Sequence, residues 1–277
     1  MKRRELFGRI RQELAGGYPS EEAEAVALRL LGHYLGVDRA ALYLDPEAET
    51  EEIPDLSAAV RELMAGRPLQ YVLGETEFYG RSLKVNESVL IPRPETEELV
   101  RWIAEEHRNA SPRIIDIGTG SGAIAIALAT ELPGAEVSAL DISPEALETA
   151  RENAERNEVR VSFLQCDILR EKPAGKFDVI VSNPPYVRES EKTEMRSNVL
   201  DHEPGTALFV PDSDPLLFYR EIAAWGREAL NDGGTLYFEI NEAFGPETGE
   251  LLSALGYGHV EVRKDLFGKD RMARGSR

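Results

Sequence analysis

The chain has 277 residues, 42% of them hydrophobic, and sets 32 Lys/Arg against 50 Asp/Glu for a formal charge of −18. That balance argues against a general nucleic-acid binder, which needs Lys/Arg to neutralise phosphates, and for a protein or small-molecule partner. No apolar run is long enough to span a membrane, Met1–Leu6 lacks the apolar region of a signal peptide, and the single Cys166 excludes an intramolecular disulfide. A cytoplasmic location is therefore expected. No metal is expected either, because four scattered His and one Cys give no ligand spacing.

Residues 1–72 read as a small helical bundle. Leu6, Ile10 and Leu14 share one helix face. Ser20 stands as the N-cap of a second helix, with Ala23, Val26, Ala27, Leu30, Leu31 and Tyr34 at helical spacing. Asp55 or Ser57 opens a third, which carries Val60, Leu63 and Met64 and ends at Gly66. Residues 73–92 read as a β-hairpin linker, with a turn at Gly80. Pro92 and Pro94 bracket Arg93 ahead of a new helix beginning near Glu95.

From about 113 onward, in the domain 93–277, strand and helix alternate. Ile114–Ile117, Glu136–Leu140, Val161–Leu164, Phe177–Val181, Thr235–Ile240 and Val260–Val262 are the predicted strands. Ala123–Leu132, Pro144–Asn157, Pro215–Leu230 and Phe244–Leu255 are the helices between them, with Ser143 as a cap and Pro144 at the first helical position. The pattern is α/β, a mostly parallel sheet with helices on both faces.

The loop Asp116-Ile117-Gly118-Thr119-Gly120-Ser121-Gly122 joins the first of these strands to its helix. Glycines let a ligand approach the backbone closely, and the helix start adds N–H donors. Asp141 ends the next strand, where a dinucleotide fold keeps its ribose-binding carboxylate. The alternating glycines differ from the dinucleotide pattern G-x-G-x-x-G. Asp116, Asp141 and Asp167 are acidic strand ends, and the loop holds no basic residue. A cationic sulfonium cofactor, S-adenosylmethionine, suits these groups better than a pyrophosphate does. Asp116 is expected to organise the loop and receive a cationic amino group, and Asp167 to meet an adenine amine. A glycine-rich turn with surface acids is the alternative. Cys166 reads as a buried apolar residue.

A second site follows the strand 177–182, at Asn183-Pro184-Pro185-Tyr186. An amide nitrogen is a poor nucleophile because its lone pair is delocalised, and an exocyclic base amine shares the difficulty. The Asn183 side-chain oxygen can accept one N–H of such a group and the Pro184 carbonyl the other. The lone pair is then aimed at the methyl carbon while charge develops on nitrogen. Two prolines stiffen the turn, and Tyr186 is expected to cover the acceptor near the sulfonium. An in-line displacement needs neither metal nor covalent intermediate. A rigid turn after a strand is the alternative here.

Over nearly its whole length the chain resembles the release-factor glutamine methyltransferases, the HemK/PrmC family. The resemblance rests on Pro68-Leu69-Gln70-Tyr71 with Gly74, Glu77-Phe78-Tyr79-Gly80, Ile91-Pro92-Arg93-Pro94-Glu95-Thr96-Glu97 and the glycine loop. Asp141-Ile142-Ser143, Ser182 to Tyr186, His202-Glu203-Pro204 and the tail Lys264-Asp265-Leu266 with Asp270-Arg271 also fit. It implies a Rossmann-like S-adenosylmethionine-dependent methyltransferase domain behind a helical bundle and hairpin linker. It implies methylation of the glutamine in the Gly-Gly-Gln motif of class 1 peptide-chain release factors, with S-adenosylhomocysteine as product. Cofactor contacts fall on Gly118, Thr119, Gly120, Ser121, Gly122, Asp141, Asp167, Ile168 and Asn183. The glutamine is gripped by Asn183, Pro184, Pro185 and Tyr186. Ile168 replaces the large aromatic of some relatives, which weakens adenine stacking. Arg93, Glu95 and Glu97 either line the site or brace the linker against the catalytic domain, bracing being the default. His202 and Glu203 invite an acid–base reading, with loop ordering preferred because no general base is needed.

Two other readings compete. An amine methyltransferase acting on DNA or RNA explains Asn-Pro-Pro-Tyr equally well. However, residues 1–80 hold nine Lys/Arg and fifteen Asp/Glu, where phosphate contacts call for a basic stripe. A non-catalytic adaptor need not retain both half-sites. A monomer is expected, since one chain carries both.

Overall fold

The computed structural model describes residues 1–50, 53–195 and 197–277. These form two units, one of residues 1–74 with 197–202 and one of 75–196 with 203–277.

The first unit is helical: α1 (Arg3–Leu14), α2 (Ser20–Leu35), α3 (Arg39–Leu44), α4 (Pro54–Met64) and α5 (Leu69–Leu73). Leu6, Ile10 and Leu14 meet Leu30, Leu31, Val60 and Leu63 in one apolar core. Ser20 is the first helical residue rather than the cap. Pro19, with φ −55° and ψ 150°, holds the cap position and makes no side-chain cap bond. Likewise α4 starts at Pro54, ahead of Asp55 and Ser57, because a fixed φ and a missing N–H cost nothing at a helix start.

The second unit opens on an antiparallel hairpin, β1 (Glu75–Phe78) and β2 (Arg81–Lys84), turned through Tyr79 and Gly80 at positive φ. There follow α6 (Thr96–His107), β3 (Arg113–Ile117), α7 (Ala123–Glu131), β4 (Glu136–Asp141), α8 (Pro144–Arg156), β5 (Val161–Gln165) and β6 (Phe177–Ser182). A short parallel pair, β7 (Val187–Arg188) and β8 (Phe209–Val210), flanks in sequence α9 (Ser197–His202), which belongs to the first unit. The chain continues with α10 (Leu217–Ala229), β9 (Leu230–Glu239), α11 (Gly245–Ala254), β10 (Gly258–Lys264) and β11 (Asp270–Ser276).

Seven strands pair in the order β10-β11-β9-β6-β3-β4-β5. The five from β9 to β5 are parallel, and β11 runs against both of its neighbours. Alternate residues divide between two cores, as a pleat demands. Val179, Val181 and Tyr237 face Leu99, Ile103 and Ile124 on one side. Ile180, Leu236 and Phe238 face Tyr219, Ile222 and Leu252 on the other. Ser143 caps α8 by accepting from the Ala146 N–H at 3.1 Å, with Pro144 next, as its sequence predicts.

The order of strands places the site. The chain moves outward from β3 through β4 to β5, then returns to lay β6 against the other side of β3. Open α/β sheets bind ligands outside the carboxyl ends of strands where the order reverses in this way.

Candidate active site

Ile117 pairs with Ser182 in register, so Gly118 and Asn183 leave neighbouring strands side by side. The Ser182 hydroxyl donates to the Ile117 carbonyl at 2.7 Å and locks the two strand ends together. A cleft of about 360 Å³ opens there. Gly118, Gly120, Asp141, Asp167, Ile168, Asn183, Pro184 and Pro185 are all in its wall. Among the described residues that line it, Asp141 and Asp167 are the charged ones, and Lys, Arg and His do not occur.

The glycine loop divides by task. Gly118 and Gly120 take φ of +72° and +54° with open space where a Cβ would stand. Gly122, at φ +83°, faces Ile126 Cδ1 and Ala150 Cβ, which a Cβ would meet at 3.1 and 3.2 Å. It serves helix packing, and Thr119, Ser121 and Gly122 lie behind the cleft rather than in its wall. Asp116 is also behind it, fully buried, with Oδ2 accepting from the Thr119 hydroxyl at 2.6 Å and Oδ1 without a partner. Burial, and after it the nearby Asp141 charge, raise its pKa to about 7 against the pull of Thr119 and of the Ala125 N–H. Asp116 thus organises the loop from beneath.

Asp141 accepts from the Gly120 N–H at 2.8 Å through Oδ2 and from the Ser143 N–H at 3.0 Å through Oδ1. Burial raises its pKa, opposed by these backbone donors. Asp167 accepts from the Leu169 N–H at 3.0 Å and pairs with exposed Arg170 at 3.3 Å. Beside it Ile168 and Cys166 are buried. Cys166 lines the cleft, and burial pushes its thiol pKa up, away from nucleophilic use.

The acceptor side rests on a buried polar network. Asn183 Nδ2 donates to Thr96 Oγ1 over a long 3.4 Å. The Thr96 hydroxyl donates to Glu239 Oε2 at 2.6 Å, and the Tyr186 hydroxyl to Glu239 Oε1 at 3.2 Å. Asn241 Nδ2 holds the Tyr186 carbonyl at 3.1 Å. Tyr186 is thus held at both its hydroxyl and its carbonyl. Its hydroxyl is drawn toward Glu239, and it is absent from the cleft wall. Glu239 is 1% exposed. Burial raises its pKa, while Thr96, Arg271 and Tyr186 hold it down. Burial and the Glu239 charge push the Tyr186 hydroxyl well up, so it stays a donor. Neither Thr96, Glu239 nor Asn241 is a site residue on sequence grounds. The available signal was Glu239 itself, a carboxylate inside the apolar run Leu236-Tyr237-Phe238-Glu239-Ile240.

The bracing residues fall into place nearby. Buried Glu203 takes the Arg93 guanidinium at 2.6 Å and the Ile91 N–H at 3.3 Å. Glu97 accepts from the Tyr79 N–H at 2.8 Å, at the hairpin turn. Glu203 and Glu97 thus each hold a backbone N–H of the segment 73–92, and Glu203 also holds Arg93.

Residues 5–74 match the PrmC N-terminal domain and residues 95–203 the methyltransferase small domain. The release factor glutamine methyltransferase of Bacteroides thetaiotaomicron is 47% identical over 97% of this chain and 98% of its own. That of Bacillus subtilis is 40% identical over 90% of this chain and 89% of its own. Among solved structures, the hMettl16 catalytic domain in complex with MAT2A 3'UTR hairpin 6 superposes with TM-score 0.56 at 17% identity. It covers 80% of this chain and 81% of that one. A methyltransferase from Pyrococcus furiosus gives TM-score 0.51 at 20% identity over 81% and 98%. Likeness at that level shows the Rossmann-like methyltransferase fold. No helix among the described residues is long and apolar enough to cross a membrane.

Proposed function

The chain belongs to the release factor glutamine methyltransferases, and from that premise we propose that it methylates the side-chain amide nitrogen of the glutamine in the Gly-Gly-Gln motif of class 1 peptide-chain release factors. The observation that carries the reading is Asn183, set in the wall of one cleft with Gly118 and Gly120 and held through its Nδ2 by Thr96.

The cleft fits S-adenosylmethionine. Two glycines open the backbone toward it, and its charged wall residues are both carboxylates, which suits a cation and disfavours a pyrophosphate. When bound, S-adenosylmethionine supplies an electrophilic methyl group on a cationic sulfur. Asp141 offers its remaining lone pairs to hydroxyls, Asp167 accepts from an amine, and Ile168 covers an apolar face. Asn183 Oδ1 accepts one N–H of the glutamine amide and the Pro184 carbonyl accepts the other. Together they hold the nitrogen lone pair in line and stabilise positive charge as it develops there. Buried Pro184 keeps its carbonyl fixed. Tyr186 contributes by steadying the turn from Glu239. The proton leaves to water after transfer, so no general base is assigned.

Residues 1–72 and the linker 73–92 are proposed to dock the release factor, with 93–277 as the catalytic domain. The protein acts as a cytoplasmic monomer, without a nucleic-acid substrate. Methyl transfer from labelled S-adenosylmethionine to a purified release factor tests this, with tRNA, rRNA and DNA as parallel acceptors. Label on the factor, lost when the motif glutamine is replaced by alanine, is expected; label on nucleic acid alone would sink the reading. Asn183→Ala should lower kcat by about 10²–10³-fold while cofactor affinity by calorimetry stays near wild type. Parallel loss of both would place Asn183 in the cofactor site instead.

A further inference from the structure

We infer that Thr96 and Glu239 are positioning residues that fix which end of the Asn183 amide meets the substrate. The inference rests on the proposed grip of Asn183 on a glutamine amide and explains what aims that grip.

An asparagine amide has two ends of nearly equal size, one a donor and one an acceptor. Only the acceptor end can take an N–H from the substrate. A site that left the amide free to turn over would present the donor end part of the time and repel that N–H.

The chain resolves this through hydrogen-bond polarity passed along three side chains. Both Glu239 oxygens are engaged as acceptors, which leaves it no donor to offer. It lies at the end of β9, with Tyr186 on one oxygen and Thr96 on the other. The single Thr96 hydroxyl proton is committed to Glu239 at 2.6 Å. Thr96 Oγ1 is left with lone pairs alone for Asn183, so the group turned toward it must be the Nδ2 amine. Oδ1 then points away from Thr96, and Asn183 itself lines the cleft. Thr96 is 4% exposed and Glu239 1% exposed, so water does not compete for either. Low polarity around them strengthens the bonds.

The elements supply this arrangement from far apart in the chain. Thr96 begins α6, Asn183 follows β6 and Glu239 ends β9. β9 pairs with β6 so that Phe238 lies beside Ser182. Glu239 and Asn183 are thus the next residues along adjacent strands, with Thr96 between their side chains.

The test is Thr96→Val, which keeps the shape and removes the hydroxyl, with Thr96→Ser to restore it and Glu239→Gln to allow the chain of donors to reverse. Transfer to the release factor, cofactor affinity by calorimetry, thermal midpoint and the side-chain amide resonances of Asn183 are measured on each. Thr96→Val and Glu239→Gln are expected to lower kcat by about 10- to 100-fold, with KM for the factor moving less and cofactor affinity unchanged. They should also shift the Asn183 amide protons, while Thr96→Ser returns both kcat and resonances toward wild type. Wild-type kcat in Thr96→Val, failure of Thr96→Ser to rescue, or equal loss of kcat and cofactor binding would each overturn the inference. A wild-type protein that labels no release factor would refute the proposed substrate instead. The relay is then decided by the resonances, which must move in Thr96→Val and hold in Thr96→Ser.

Discussion

Asp116 puts a carboxyl where water does not reach and gives it one strong donor, Thr119. Its pKa, about 7 in the fold, stands above the ordinary value of 3.8 that the unfolded chain should show. Between roughly pH 4 and 7 the native state holds a proton that the unfolded state has released. The stability this group permits is complete below that window and is lost as pH rises through it. Asp116→Asn, neutral throughout, should unfold at a higher temperature than wild type at pH 8, with the gap closing toward pH 4. Thermal melts at the two pH values check it. Neighbouring residues show what sequence can and cannot carry. Positive φ at Gly118 and Gly120 follows from a glycine loop between strand and helix. That Gly122 serves a helix contact instead depends on Ala150, on a different helix.

Elements are joined by single side chains with unusual leverage. Asn153, fully buried on α8, accepts from the Lys84 N–H at 2.6 Å and donates to the carbonyls of Lys84 and Ser121 at 2.9 Å each. It ties the hairpin strand β2 and the glycine loop to one helix. Asn153→Ala should cost roughly 1–3 kcal/mol for each backbone group left buried and unpaired and should weaken cofactor binding as the loop loosens. Denaturant unfolding and calorimetry measure the two effects. Most strands and helices were legible from their apolar spacing. β11 was not, because Asp270-Arg271-Met272-Ala273-Arg274-Gly275-Ser276 is covered on both faces and shows no alternation. Gly275 lies against Tyr257, where a Cβ would stand 2.8 Å from that residue's own. The Thr96–Glu239–Asn183 contact was equally hidden, since it spans 143 residues and depends on strand order that no local pattern encodes.

For the molecule as a whole, the charge of −18 sets the terms of partnership. Long-range attraction from so acidic a chain reaches only a partner with a basic docking face. Raising ionic strength from about 0.05 to 0.3 M shortens the Debye length from about 14 to about 6 Å. It should lower kcat/KM for an intact release factor and leave that for a short Gly-Gly-Gln peptide nearly unchanged. Steady-state kinetics on both acceptors across that range checks it, and equal salt effects would remove the charge argument for docking.

The pairing order holds a consequence for synthesis on the ribosome. β11 comes last of the described strands, yet it is an inner strand, between β9 and β10. As the chain emerges, β9 therefore keeps one open edge, and β10 has nothing to pair with, until residues 270–276 follow. Unpaired edges invite association with other chains. A chain that stops at Lys264 should consequently be more prone to capture by chaperones and to aggregation than one that includes residues 270–276.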